Sequence, residues 1–203
     1  LAPGRYVSPY FRTRPRVMRE GDVLAAVEAF GEAARRARDA GFDGVEVHAA
    51  HGYLVHQFLS PLVNRRTDRW GRDRTTFLRD VVRAIRVHAG PDFPGFVKLS
   101  ATEGRPGGME VEDLAEVVHV LETEGVEAVQ ISTGTMDLPF GIFRGGFPTS
   151  ATLEHNPVFG GRGRLETALL VRLVLPRLRA RMPRSEEGYN VAAARRVKEG
   201  TSL

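Results

Sequence analysis

Two imidazoles and a phenol fall within the six residues His48-Ala49-Ala50-His51-Gly52-Tyr53. They follow Gly44-Val45-Glu46-Val47-His48, a short run with β-branched residues that reads as a strand, so all three leave the mouth of one strand. A lone histidine is usually structural. A second at i+3 and a tyrosine at i+5 favour chemistry instead. One reading lets His48 and His51 share a metal ion. The other makes them paired N–H donors that hold a substrate oxygen and stabilise the negative charge developing on it. A metal would want a third ligand, and the other strand ends offer no Asp, Glu or His. Tyr53 completes the donor-pair reading, because a phenol with a reference pKa of about 10 can deliver a proton at neutral pH. The donor pair is the favoured reading.

Lys98 is the second candidate. A cation at the end of a buried parallel strand is costly unless it faces the mouth and meets an anion. Among 29 basic residues only Lys98 and Lys198 are lysine. The bland reading is a lysine snorkelling at the strand edge. The functional one is a cation beside an electron-rich cofactor ring or a phosphate.

The elements that must position these groups follow a rhythm. Asp22 is expected to cap a helix running to about Ala40, which Gly41 ends. The strand 44–48 follows, then a helical stretch from Tyr53 to Leu59. A helix from about Thr75 to Ala89 carries Phe77, Leu78, Val81, Val82 and Ile85 on one face and is broken at Gly90-Pro91. Phe96–Ser100 is the second strand. A helix over Val111–Glu124 stops at Gly125 and leads into the third strand, Ala128–Ser132. Helix–Gly–strand units in series mean parallel strands joined by helical crossovers, an α/β architecture whose sites lie at the strand ends.

Residues 1–21 read as an irregular leading segment, and 133–184 as an excursion. The excursion is rich in glycine and proline up to residue 163, with a basic amphipathic helix at 165–182 that Pro176 kinks or divides. A last crossover helix is expected at 189–199. At Gly200–Leu203 the rhythm asks for another strand, so the chain is expected to stop within a unit.

The length, 203 residues, allows about one domain with a real core. The absence of cysteine excludes disulfide scaffolds, thiolate metal sites and cysteine nucleophiles from these residues. No apolar run approaches the roughly 20 residues of a membrane span, and no signal peptide opens the chain. The charge of +4 is dispersed, which argues against a nucleic-acid partner. A cytoplasmic protein without membrane attachment is expected, and a homo-oligomer is compatible with the sequence.

The stretch Gly41–Leu54, continuing through Gln57-Phe58-Leu59-Ser60-Pro61 and Asn64-Arg65-Arg66-Thr67-Asp68, resembles the Old Yellow Enzyme family of FMN-dependent oxidoreductases. Val97-Lys98-Leu99-Ser100, Gly107-Gly108, Gly125–Ser132 and Glu187-Gly188-Tyr189-Asn190 continue the match in order. The link Trp70–Arg74 is shorter than the family's usual one. The resemblance implies a TIM (β/α)8 barrel, here incomplete, with only central strands and helices over 1–203. It further implies FMN at the strand ends, NAD(P)H as electron donor, and a small-molecule acceptor with an activated double bond. His48 and His51 match the pair that binds the acceptor's oxygen. Tyr53 matches the proton donor, and Lys98 the basic residue beside the flavin. Further flavin contacts would come from strands outside this stretch, so the isolated segment can lack activity. A metal-dependent TIM-barrel hydrolase or lyase, and a non-catalytic barrel remnant acting as an interaction module, are the alternatives.

Overall fold

Three times a helix closes on a glycine with positive φ (Gly41 at 86°, Gly90 at 97°, Gly125 at 72°), and each time the chain turns back into the same sheet. The computed structural model describes residues 1–8, 14–137, 141–142 and 186–203, together with 144–145, 163, 168–174, 176–177, 180 and 183–184. Its elements are α1 (Glu20–Asp39), β1 (Val45–Ala49), α2 (Leu54–Leu59), α3 (Arg69–Arg72), α4 (Thr76–Ala89), β2 (Gly95–Ser100), α5 (Leu114–Thr123), β3 (Ala128–Ser132) and α6 (Val191–Lys198). The strands form one parallel sheet in the order β1-β2-β3.

The strands and helices expected between 20 and 132 and at 189–199 are present with shifts at their ends. Asp22 is not the cap of α1. Arg19 occupies that position, and the Asp22 carboxylate, one turn in, accepts the Arg19 N–H at 2.8 Å while Arg16 pairs with it at 2.9 Å. An acid inside the first turn meets the exposed amide ends of the helix, which is why it sits there. The third crossover helix opens as a 3-10 turn, Val111–Asp113, before α5. The leading segment is tied back on itself, with the Ala2 N–H donating to Arg16 O at 3.1 Å and the Met18 N–H to Ala2 O at 2.9 Å.

Alternation along the strands decides what the sheet presents. Val47, Ala49, Val97 and Leu99 are buried and face the crossover helices, with Val129 and Ile131 packed against them. There they join Phe58 and Phe77, whose rings stack at 4.0 Å, and Leu78, Leu114 and Leu121. The opposite face carries Glu46, His48, Phe96, Lys98, Ser100, Gln130 and Ser132. Of these, Glu46, His48, Phe96 and Gln130 are exposed. Helices α1 and α4 cross closely at Gly31, where a Cβ would lie 2.5 Å from the His88 ring.

The short link at 70–74 docks firmly. Trp70 is buried, its indole N–H donates to Asp80 at 2.9 Å, and Asn64 donates to the Trp70 carbonyl at 2.7 Å. At the opposite end of the sheet from His51, Arg86 donates to the carbonyls of Pro91 at 2.8 Å, Phe93 at 2.9 Å and Gly125, and to Glu127 at 2.8 Å.

The chain divides into two compact units, 1–142 with 188–203, and 143–187. Most of the amphipathic helix expected at 165–182 lies outside the described residues. Its described part holds a π-helical turn, Leu170–Val174, ahead of Pro176, which lacks the N–H needed to continue a regular helical ladder. No helix among the described residues is long and apolar enough to cross a membrane.

Candidate active site

Parallel pairing places His48 opposite Lys98, and Lys98 opposite Gln130, in one row across the three strands. One step further along the strands, Ser100 pairs with Ser132 on the same face. Lys98 lies two residues before the end of β2, which closes at Ser100 as the sequence leads one to expect. Its side chain is half-buried, and among the described residues its ammonium has no hydrogen-bond or ion-pair partner.

Beyond β1 the chain turns sharply at His51 (φ 60°) and Gly52 (φ 83°). A histidine in the left-handed region is uncommon and must be held there. Three bonds do so. The His51 N–H donates to Ser100 Oγ at 3.0 Å, its carbonyl accepts the Met136 N–H at 3.0 Å, and Nε2 lies 2.7 Å from Ser132 Oγ. The turn brings the His51 ring edge-on to His48 at 5.0 Å, and the Tyr53 ring to 4.8 Å from His48. Tyr53 is the residue from which α2 starts, and it is 50% exposed, so its hydroxyl is open to a ligand at the sheet mouth.

Desolvation, followed by the positive charges of His48, Lys98 and His56, lowers the His51 pKa to about 4. Burial and Lys98 likewise push His48 down. At neutral pH His51 is a neutral ring, able to donate one hydrogen bond.

The sequence candidates His48, His51, Tyr53 and Lys98 thus meet on one open face. Sequence reasoning missed their supports. Ser100 and Ser132 end their strands in the matching patterns Val97-Lys98-Leu99-Ser100 and Val129-Gln130-Ile131-Ser132, a signal that was present but without an assigned role. Glu103, three residues past β2, is a buried carboxylate near a strand end, yet it serves His56 at 3.2 Å rather than the histidine pair. Burial pushes Glu103 up, but the bonds from His56, Ser60 and the Met109 backbone hold it below the usual glutamate value. Among the described residues, the three-ligand cluster suited to a metal is Glu28, Glu32 and His88, on α1 and α4 rather than at this site.

A parallel sheet of this kind, with helical crossovers and its polar candidates gathered at the strand ends, is the central part of a TIM barrel. Residues 7–156 match the NADH:flavin oxidoreductase / NADH oxidase family, and the chain belongs to that family. An NADPH dehydrogenase of Geobacillus thermodenitrificans is 43% identical over 125 residues, which are 60% of this chain and 36% of that protein. A 2-naphthoyl-CoA reductase in complex with 2-naphthoyl-CoA superposes with TM-score 0.65 at 29% identity, covering 76% of this chain and 25% of that one. An Old Yellow Enzyme homologue from Zymomonas mobilis gives TM-score 0.58 at 26% identity, over 66% of this chain and 42% of that one. The chain therefore spans well under half the length of these relatives, and its barrel is incomplete.

Proposed function

We propose that this chain is the acceptor-binding part of an FMN-dependent NAD(P)H oxidoreductase of ene-reductase type, acting on activated alkenes or related acceptors. The observation that carries the reading is the pair of imidazoles at 5.0 Å with Tyr53 beside them, His48 itself lying in the row that holds Lys98. The residues present fit a flavin. Lys98 offers a half-buried cation without an anionic partner among the described residues, and Gln130 adds an amide in the same row. Lys98 would sit by the part of the isoalloxazine that becomes negative on reduction. The chemistry FMN supplies when bound is hydride transfer, in from NAD(P)H and out to the acceptor's β-carbon.

The chain's own residues do the rest. His48 and His51 hold the acceptor's carbonyl or nitro oxygen through N–H donors. As the β-carbon gains hydride, negative charge moves onto that oxygen, and donors fixed in place stabilise it without reorganising. Tyr53 gives its phenolic proton to the α-carbon and regains one from solvent, so the double bond gains H⁻ and H⁺ while NAD(P)H becomes NAD(P)⁺.

The test is Tyr53→Phe in the holoenzyme, followed by rapid mixing. Removing the proton donor should slow alkene reduction by about 100-fold or more. Flavin reduction by NAD(P)H should keep its rate. Equal rates for alkene reduction in both proteins would take Tyr53 out of the proton-donor role.

A further inference from the structure

A neutral imidazole carries one N–H, so a histidine can act as a donor only if the proton is on the nitrogen that faces the ligand. His51 makes this acute, since one of its nitrogens is already engaged. Nε2 lies 2.7 Å from Ser132 Oγ, at the end of β3. Two arrangements satisfy that distance. If Nε2–H donates to the serine, Nδ1 is left as a bare lone pair and repels an acceptor oxygen. If the serine hydroxyl donates to Nε2, the ring proton is on Nδ1 and His51 is a donor.

The surrounding bonds favour the second arrangement. Among the described residues Ser132 Oγ has no hydrogen-bond partner except His51 Nε2, so the reverse orientation leaves the serine O–H without a protein acceptor. Ser100 cannot substitute, because its hydroxyl accepts the His51 N–H and donates to Gly134 O at 2.9 Å. The backbone, held at φ 60° by the bonds to Ser100 Oγ and Met136 N–H, fixes the point from which the ring leaves the chain.

We infer that Ser132 is a positioning residue, whose hydroxyl donates to Nε2 of His51 and so holds the ring in the tautomer with its proton on Nδ1, ready for the acceptor oxygen. The inference rests on the donor-pair reading of the site. It extends that reading to a residue on a different strand, which makes the end of β3 part of the oxygen-binding device. The neutrality of His51 supports it, since a cationic ring would donate from both nitrogens and need no such guide.

The experiment reads the ring nitrogens directly, in the intact protein with histidine labelled with ¹⁵N, at neutral pH. His51→Gln assigns the resonances. In the wild type, His51 Nε2 should show the shift of an unprotonated, hydrogen-bonded nitrogen and Nδ1 that of an N–H. Ser132→Ala should move both toward the averaged values of mixed tautomers, and Ser132→Thr, which keeps a hydroxyl, should restore the wild-type pattern. A wild-type ring protonated on Nε2 overturns the inference, as does an unchanged pattern in Ser132→Ala. The wild-type measurement needs no variant to fold.

Binding of a para-substituted phenol, whose oxygen mimics the acceptor's, is the second readout. Loss of one neutral hydrogen bond should weaken it about fivefold to tenfold in Ser132→Ala, with recovery in Ser132→Thr. Unchanged affinity in Ser132→Ala, or no recovery in Ser132→Thr, counts against positioning by the hydroxyl. A wild-type protein that binds no phenol refutes the donor-pair reading itself, while the nitrogen shifts still decide the tautomer.

Discussion

Neutral imidazoles donate one hydrogen bond each, so the charge state of His51 governs what the mouth of the sheet can do. Its pKa of about 4 has two kinds of cause, of which burial is the larger, and the charges of His48, Lys98 and His56 come next. Replacing Lys98 by Met removes one cation, and the His51 midpoint in an NMR titration should rise toward the ordinary histidine value of 6.5. A midpoint that stays put would mean that Lys98 lies too far off to matter. The sign for stability follows from the same shift. The unfolded ring takes up a proton near pH 6.5 and the folded ring only near 4, so the His51 contribution is present above pH 6.5 and is lost on acidification through 4. Residue types were legible in the sequence wherever they clustered along the chain, as in His48 to Tyr53. Ser132 was not, because its partner is 81 residues away and is met only through the register of two strand pairings.

Elements were legible through their apolar periods and glycine stops, and they came out within a residue or two. What periodicity could not show is how the elements are fastened to one another. Arg86 looks in the sequence like one more arginine on a polar helix face. In the structure its guanidinium gathers carbonyls from the loop after α4 and the turn after α5, and Glu127 in turn accepts the Gly95 N–H at 2.7 Å. The start of β2 and the start of β3 are thus joined through one side chain that is 18% exposed. Arg86→Ala should lower stability by about 1–3 kcal/mol, since several carbonyls lose a charged donor together. Urea unfolding would measure it, and a change within a few tenths of a kcal/mol would show that water replaces the guanidinium without loss. Because this fastening lies at the end of the sheet away from His51, the same variant should leave phenol binding in place.

For the molecule as a whole, the parallel sheet runs β1-β2-β3, and among the described residues β1 has no strand on its outer side. Alternate amides of β1 point to that side, whereas both sides of β2 are paired. Hydrogen exchange should therefore run much faster at those outward β1 amides than along the centre of β2, and equal protection would reveal a further partner on that edge. The open polar face was foreseeable from the alternation of the strands. The particular row in which His48, Lys98 and Gln130 meet was not, because a single residue of slip would have changed every neighbour. That row has a consequence for variation. Neighbouring strands lie about 4.8 Å apart whatever loops join them, so the pitch between the three side chains belongs to the backbone ladder. Loops over the mouth can lengthen, shorten or change composition to suit one ligand or another, and the gauge on which His48, Lys98 and Gln130 are mounted stays the same.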